Sequence, residues 1–220
     1  MRTVLTVMKL SREDALLEIV NNNVNMYSIS VSEFEDYVEE NKAYMKDWLA
    51  RNAFFPLQFI FTTYREERVD EELMQRQIDF EHMVKGSRKD NIYILEVCTR
   101  EQLLYLIDQY YWLAAQNETM IIADSKSVIQ IKEHFITKLY SYITMEAKVH
   151  KENGFVIAVE HDGQGMQLVT TKHEWTRSKE FTGDVRRYSF RTVERYILRF
   201  VSDLEKHKQR NYFILLLKVL

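Results

Sequence analysis

Cys98 follows the apolar run Asn91 to Val97 and precedes Thr99-Arg100-Glu101-Gln102. A thiol placed just ahead of a helix N-terminus meets aligned amide dipoles that favour the thiolate, so the chemistry to consider there is nucleophilic. A phosphatase-type cysteine wants an arginine six residues on and a glycine-rich loop, and Leu104 occupies that place. A protease-type cysteine needs a positioned histidine, and no spacing singles one out. The plainer reading makes Cys98 a small apolar residue that packs across the helix start against Leu103.

Glu160, His161 and Asp162 form a second cluster, with His173 and Glu174 following in sequence. A zinc site needs three or four converging nitrogen, sulfur or oxygen ligands. Neither HExxH nor CxxC occurs, and the single cysteine removes thiolate sites. Asp162-Gly163 explains the same stretch as a turn. The expectation is therefore no metal and no cofactor. Cys98, His161 and His173 are the catalytic candidates of an alternative, enzymatic reading: a Cys98-centred enzyme, or a metal-assisted hydrolase near Glu160 to Glu174.

Five glycines and one proline serve all 220 residues. GxGxxG, GxxxxGK[ST] and GxSxG are all missing. Those absences close the dinucleotide fingerprint, the Walker loop and the usual serine-hydrolase elbow.

Charge is unevenly spread in a chain whose net charge is only −3. Residues 1–90 hold 12 basic and 17 acidic groups, and residues 172–210 hold 11 basic and 6 acidic. Glu33, Glu35, Asp36, Glu39 and Glu40 crowd one predicted helix; Glu66, Glu67, Asp70, Glu71 and Glu72 crowd the start of another. Acid at a helix N-terminus opposes the dipole, but ten carboxylates exceed what capping needs. Glu35, Glu39, Glu40, Glu66, Glu67, Asp70 and Glu71 are thus the candidate surface for a basic protein partner. Arg187, Arg191, Arg195 and Arg199 recur at every fourth position and form a candidate anion-binding ladder if the segment is helical. A nucleic-acid ligand for Arg191, Arg195 and Arg199 is the less favoured alternative.

The elements that must position these groups read as an alternation of strands and helices. Helices are expected from Ser11 to about Asn21, from a Ser32–Glu35 capping box onward, over Val69–Lys85 with Gly86 as C′ residue, and from a Thr99–Gln102 capping box to about Gln116. Further helices are expected after a Ser127–Gln130 box and from Ser189 to about His207. Strands are expected at Met26–Val31, within Phe54–Tyr64 with Pro56 at a strand start or edge, at Asn91–Val97 and at Thr119–Ala123. Phe155–His161 and Met166–Thr171 read as a hairpin. A two-residue Asp162-Gly163 turn there sets Val159 against Met166 and Ile157 against Leu168. Tyr212–Leu220 reads as a buried strand, with a short terminal helix as the alternative. On the Cys98–Gln116 helix, Tyr110 belongs inward, and Tyr111 points elsewhere, to be covered by a second layer.

The fold class expected is α/β: a single domain, 1–220, with a mixed sheet. A βαβ-type body to about residue 150 is followed by a hairpin, a long helix and a terminal strand. The alternative is α+β, two small lobes meeting near 150. The short, interrupted apolar N-terminus does not fit a signal peptide, and no run approaches the ~20 apolar residues of a membrane span. One cysteine fits a reducing compartment, so a cytoplasmic location is expected, without a membrane partner. Isoleucine, asparagine, lysine and tyrosine are plentiful, which hints at an AT-rich bacterial genome. The function expected is a non-catalytic cytosolic protein-binding protein, concretely an immunity-type inhibitor or regulator of a basic partner such as a bacterial toxin.

Overall fold

Period-two alternation decides most of the chain. The computed structural model describes residues 3–31, 37–64, 68–116, 118–137, 140–172 and 188–192. It is an α/β fold with mixed sheets, dominated by strands. In chain order come β1 (Thr3–Lys9), β2 (Glu18–Ile19), β3 (Asn25–Val31), α1 (Tyr37–Asn52), β4 (Leu57–Thr63), α2 (Val69–Gln75), β5 (Asp79–Lys85) and β6 (Asp90–Val97). Then follow α3 (Arg100–Ala115), β7 (Met120–Asp124), β8 (Val128–Thr137), β9 (Tyr140–Lys148), β10 (Phe155–Val159), β11 (Met166–Thr170) and β12 (Tyr188–Thr192).

Nine strands form one sheet in the order β12-β1-β3-β11-β10-β7-β4-β6-β5, and β2-β9-β8 form a second. The pairings are antiparallel except β1 with β12 and β2 with β9. Taking β3 as running upward, the pairing senses send β4, β5 and β10 upward and β1, β6, β7, β11 and β12 downward. So β6 and β7 are parallel, as a helical crossover demands, yet β4 lies between them. Pro56 stands just before the first ladder residue of β4, the one place where a central strand tolerates its missing amide.

The helices cover one face of the large sheet and the small sheet covers the other. Leu5, Ile29, Trp48, Phe59, Phe61, Tyr93, Leu106, Tyr111 and Ile157 belong to the core on the helix side. Met26, Ile60, Ile92, Ile121, Ala147 and Val156 belong to the core beneath β2-β9-β8. Phe61 lies between Tyr93 and Tyr110, with ring centroids at 5.0 and 4.3 Å. Each such buried ring stabilises by roughly 1.5–3 kcal/mol through burial, with ~0.5–1.5 kcal/mol more from pairing. Tyr111 is buried like Tyr110; α1 and the hairpin turn are the second layer over it.

The hairpin β10–β11 has the expected register, Val159 with Met166 and Ile157 with Leu168. Asp162 and Gly163 both have positive φ, 59° and 66°, and the Gln164 amide donates to His161 O. That is type I′ turn chemistry. The Thr99 capping box is also present: the Gln102 amide donates to Thr99 Oγ1 and the Thr99 amide to Gln102 Oε1. Leu103 is buried, but Cys98 is exposed and does not pack across the helix start.

Four expected helices are otherwise. Residues 11–17 form turns and bends that lead into β2: the Ser11 hydroxyl donates to the Asp14 carboxylate, and the Leu16 amide goes to Gln167 Oε1. The Val69 helix ends at Gln75. Gln77 turns with φ 55°, and Phe80, His82 and Val84 then alternate along β5, leaving Gly86, φ 77°, in the β5–β6 turn. Ser127 opens no helix, because its hydroxyl donates to Asp124 Oδ2 and accepts the His150 amide while β8 pairs with β9. Residues 188–192 are a strand beside β1 rather than the start of a helix. The Ser32–Glu35 capping box, the remainder of the 189–207 helix and the 212–220 strand lie outside the described residues.

Candidate functional site

Topology gathers the acidic groups at one end. Both α1 and α2 follow upward strands, and α3 follows a downward one. The beginnings of α1 and α2 therefore flank the end of α3 on the upper, helix-covered side of the sheet. Glu39 and Glu40 lie in the first turn of α1, and Asp70, Glu71 and Glu72 in the first turn of α2. Between them, Tyr110 and Tyr111 of α3 register both groups. The phenol of Tyr111 is pushed up by burial and then by the charges of Glu160 and Glu39. That of Tyr110 is pushed up by burial and then by Glu72. The Tyr110 hydroxyl is buried beside Glu72 without a hydrogen bond of normal geometry.

The turn after β10 adds Glu160 and Asp162 to the same end, and Glu118 enters it just before β7. Glu160 Oε1 accepts from Ser28 Oγ at 2.7 Å, and Glu118 Oε2 accepts from Thr62 Oγ1 at 2.5 Å. Glu39 is offset by Lys42, with Nζ to Oε2 at 2.6 Å. Glu40 Oε2 is buried with no hydrogen-bond partner among the described residues. The C-terminal end of α3 brings its own partial negative charge to the centre of the group. Such an arrangement concentrates negative charge at one end of the helix layer.

Of the expected acidic surface, Glu39, Glu40, Asp70 and Glu71 are thus brought to one end, while Glu35, Glu66 and Glu67 lie outside the described residues. Asp70 is partly engaged: Tyr93 Oη donates to its Oδ1 at 2.8 Å. Of the catalytic candidates, Cys98 sits exposed ahead of α3. Its amide donates to Gln102 Oε1, and no hydrogen bond reaches its sulfur among the described residues. His161 is exposed in the hairpin turn, and His173 lies outside the described residues. Glu160 turns to Ser28, and no group of three or more His, Cys, Asp or Glu side chains among the described residues could hold a metal ion. Arg191 stands on β12, so the helical ladder through it is not formed; Arg195 and Arg199 lie outside the described residues.

Two features escaped the sequence reading. His82 of β5 stacks on Tyr93 at 4.4 Å, with Nδ1 3.8 Å from Asp70 Oδ1 and Nε2 3.0 Å from Asn91 Oδ1. The ring is held within the β5–β6 ladder by Asn91 and presents its other nitrogen toward Asp70, which Tyr93 Oη ties to the sheet. The alternation Phe80, His82, Val84 was the available signal for this strand. The second feature is a cleft of about 540 Å³ between the two sheets at the same upper end, with Met120, Ala158 and Met145 in its walls and Asp90, Glu118 and His161 lining it as well. It is walled by β9, which pairs with β8 where a single helix was expected.

No protein-family model, no curated protein and no solved structure matches this chain. No helix among the described residues is long and apolar enough to cross a membrane.

Proposed function

We propose that this protein is a non-catalytic binding protein that captures a basic protein partner through the acidic upper end of its helix layer. An immunity-type inhibitor of a bacterial toxin, acting in the cytoplasm, is the concrete form of the reading. One observation carries it: acidic turns some thirty residues apart in sequence, at Glu39–Glu40 and Asp70–Glu72, flank the negative end of α3 instead of dispersing over the surface. Clustered charge of one sign raises the encounter rate with the opposite sign and fixes orientation more than it adds affinity.

The test is an association-rate measurement. The wild-type chain and a Glu39→Lys, Glu71→Lys variant are immobilised and exposed to native bacterial cytosol. The reading expects wild type to retain a basic protein that the variant loses. Association of that protein should slow about tenfold or more on charge reversal and fall with salt, since screening shortens to ~8 Å at physiological ionic strength. Equal capture by both chains, with Arg191→Glu abolishing it instead, would move the anion-binding reading ahead.

A further inference from the structure

The large sheet ends at β5, and the geometry points to β5 as a two-fold interface with a second copy of this chain. It is the last strand in the order, and no described strand pairs with its outer side. Exposed edges are usually blunted by proline, a bulge, shortness or charge. β5 has no proline and no bulge, since seven consecutive residues pair with β6 without a register shift, whereas β8 carries an irregularity at Phe135/Thr137. Its charges are of both signs, Asp79 and Glu81 against Lys85, so they repel a copy in some registers and attract it in others. Val84 on this edge is 52% exposed.

Its charges ask for a neighbour. Asp79 stands directly opposite Glu96, a like-charge cross-strand pair that is unfavourable when left alone. Neither carboxylate has an ion-pair partner among the described residues, and Lys85, which stands opposite Asp90 at the other end of the strand, forms no ion pair with it. A cation arriving beside Asp79 relieves that opposition.

The strand itself supplies one. An antiparallel pair related by a two-fold axis perpendicular to the sheet keeps each side chain on its own face, so opposed residue numbers must sum to an even number. Centring the axis on His82 uses all seven residues. Asp79 then faces Lys85 of the second copy and Lys85 faces Asp79, giving two ion pairs on the face toward β8 and β9. Phe80 faces Val84 and Val84 faces Phe80 on the helix face, covering the exposed valine. Centring on Glu81 opposes two glutamates, and centring on Met83 shortens the ladder to five residues.

Sedimentation velocity on the full chain over a broad concentration range reads this directly. A monomer–dimer equilibrium is expected for wild type. Lys85→Asp sets like charges opposite each other twice and should weaken the dimer about tenfold, given two cross-strand pairs. Asp79→Lys with Lys85→Asp restores opposite charges in the same register and should return the dissociation constant to within about threefold of wild type. Cooperative thermal unfolding and an unchanged far-ultraviolet circular dichroism spectrum would show that both variants fold. A wild-type chain that stays monomeric, or a dimer indifferent to Lys85→Asp, overturns the proposal. Rescue of a Lys85→Glu variant by Glu81→Lys, and not by Asp79→Lys, overturns the His82-centred register. None of these positions is among the residues reversed in the partner-binding test, so the two readings fail separately.

Discussion

Two strand–helix–strand units, β3–α1–β4 and β6–α3–β7, differ in how their helices are held. In the second, one strand separates the parallel pair, and α3 is fixed at its start by the capping box of Thr99 and Gln102 on the surface. In the first, three strands intervene, because the β10–β11 hairpin and β7 sit between β3 and β4. Here the tie is internal. β11 begins at Met166 opposite Ile29, so the ladder stops short of Val31. Asn41, only 3% exposed, fills the gap. Its Oδ1 accepts the Val31 amide at 2.7 Å, and its Nδ2 donates to Tyr37 O at 2.8 Å and to Gln164 O at 3.1 Å. The contrast teaches that inserting a hairpin into a sheet leaves strand ends that a side chain must satisfy.

The comparison is broken most severely at the point both units share. Gly163 has positive φ, and a Cβ there would meet Val38, Ala115 and Tyr111 at 3.3–3.4 Å. Gly163→Val should cost about 2–4 kcal/mol, combining backbone strain with overpacking against α1 and α3 together. Denaturant midpoints measure it, and a variant that melts like wild type would show the turn free to lift away. Asn41→Leu comes next. It strands the buried amide and carbonyl of Val31, for an expected loss of about 2–3 kcal/mol with hydrogen-exchange protection falling first in β3 and α1. Protection lost instead in α3 would show that the two units are not held separately. Thr99→Ala is the smallest, about 1 kcal/mol, with fraying confined to the first turn of α3. A cost equal to that of Asn41→Leu would erase the distinction between the surface tie and the buried one.

What could be read from the sequence followed from local chemistry. The Thr99 capping box, the Asp162-Gly163 turn and the β6–α3–β7 alternation each rest on residues a few positions apart, and each is present. β8 was misread because Val128, Ile131 and Phe135 fit a helical stripe. Ile129 and Ile131 fit a strand equally well, and its β-branched content favours one. The deciding facts, pairing with β9 and the capture of the Ser127 hydroxyl by Asp124, are tertiary. For the candidate site, the acidic residues were visible, but their convergence was not. It depends on strand directions, which no local pattern encodes. The edge pairing of Asp79 with Glu96 was hidden for the same reason, since residues 69–85 were read as one helix.

The pairing of β3 with β11 has a consequence for the order in which the chain can assemble. Ile29 lies in register with Met166. A ribosome adding about 5–20 residues per second needs roughly 7–30 seconds to make the intervening chain. Through that interval the antiparallel β1–β3 pair can form, but the inner edge of β3, from Asn25 to Ile29, has no strand to close on. Distant pairings of this kind slow folding because the loop entropy is lost before the contacts form. The nascent chain therefore carries an open apolar edge until β11 emerges, and crowding on polysomes is the condition under which this fold is most exposed to misassembly.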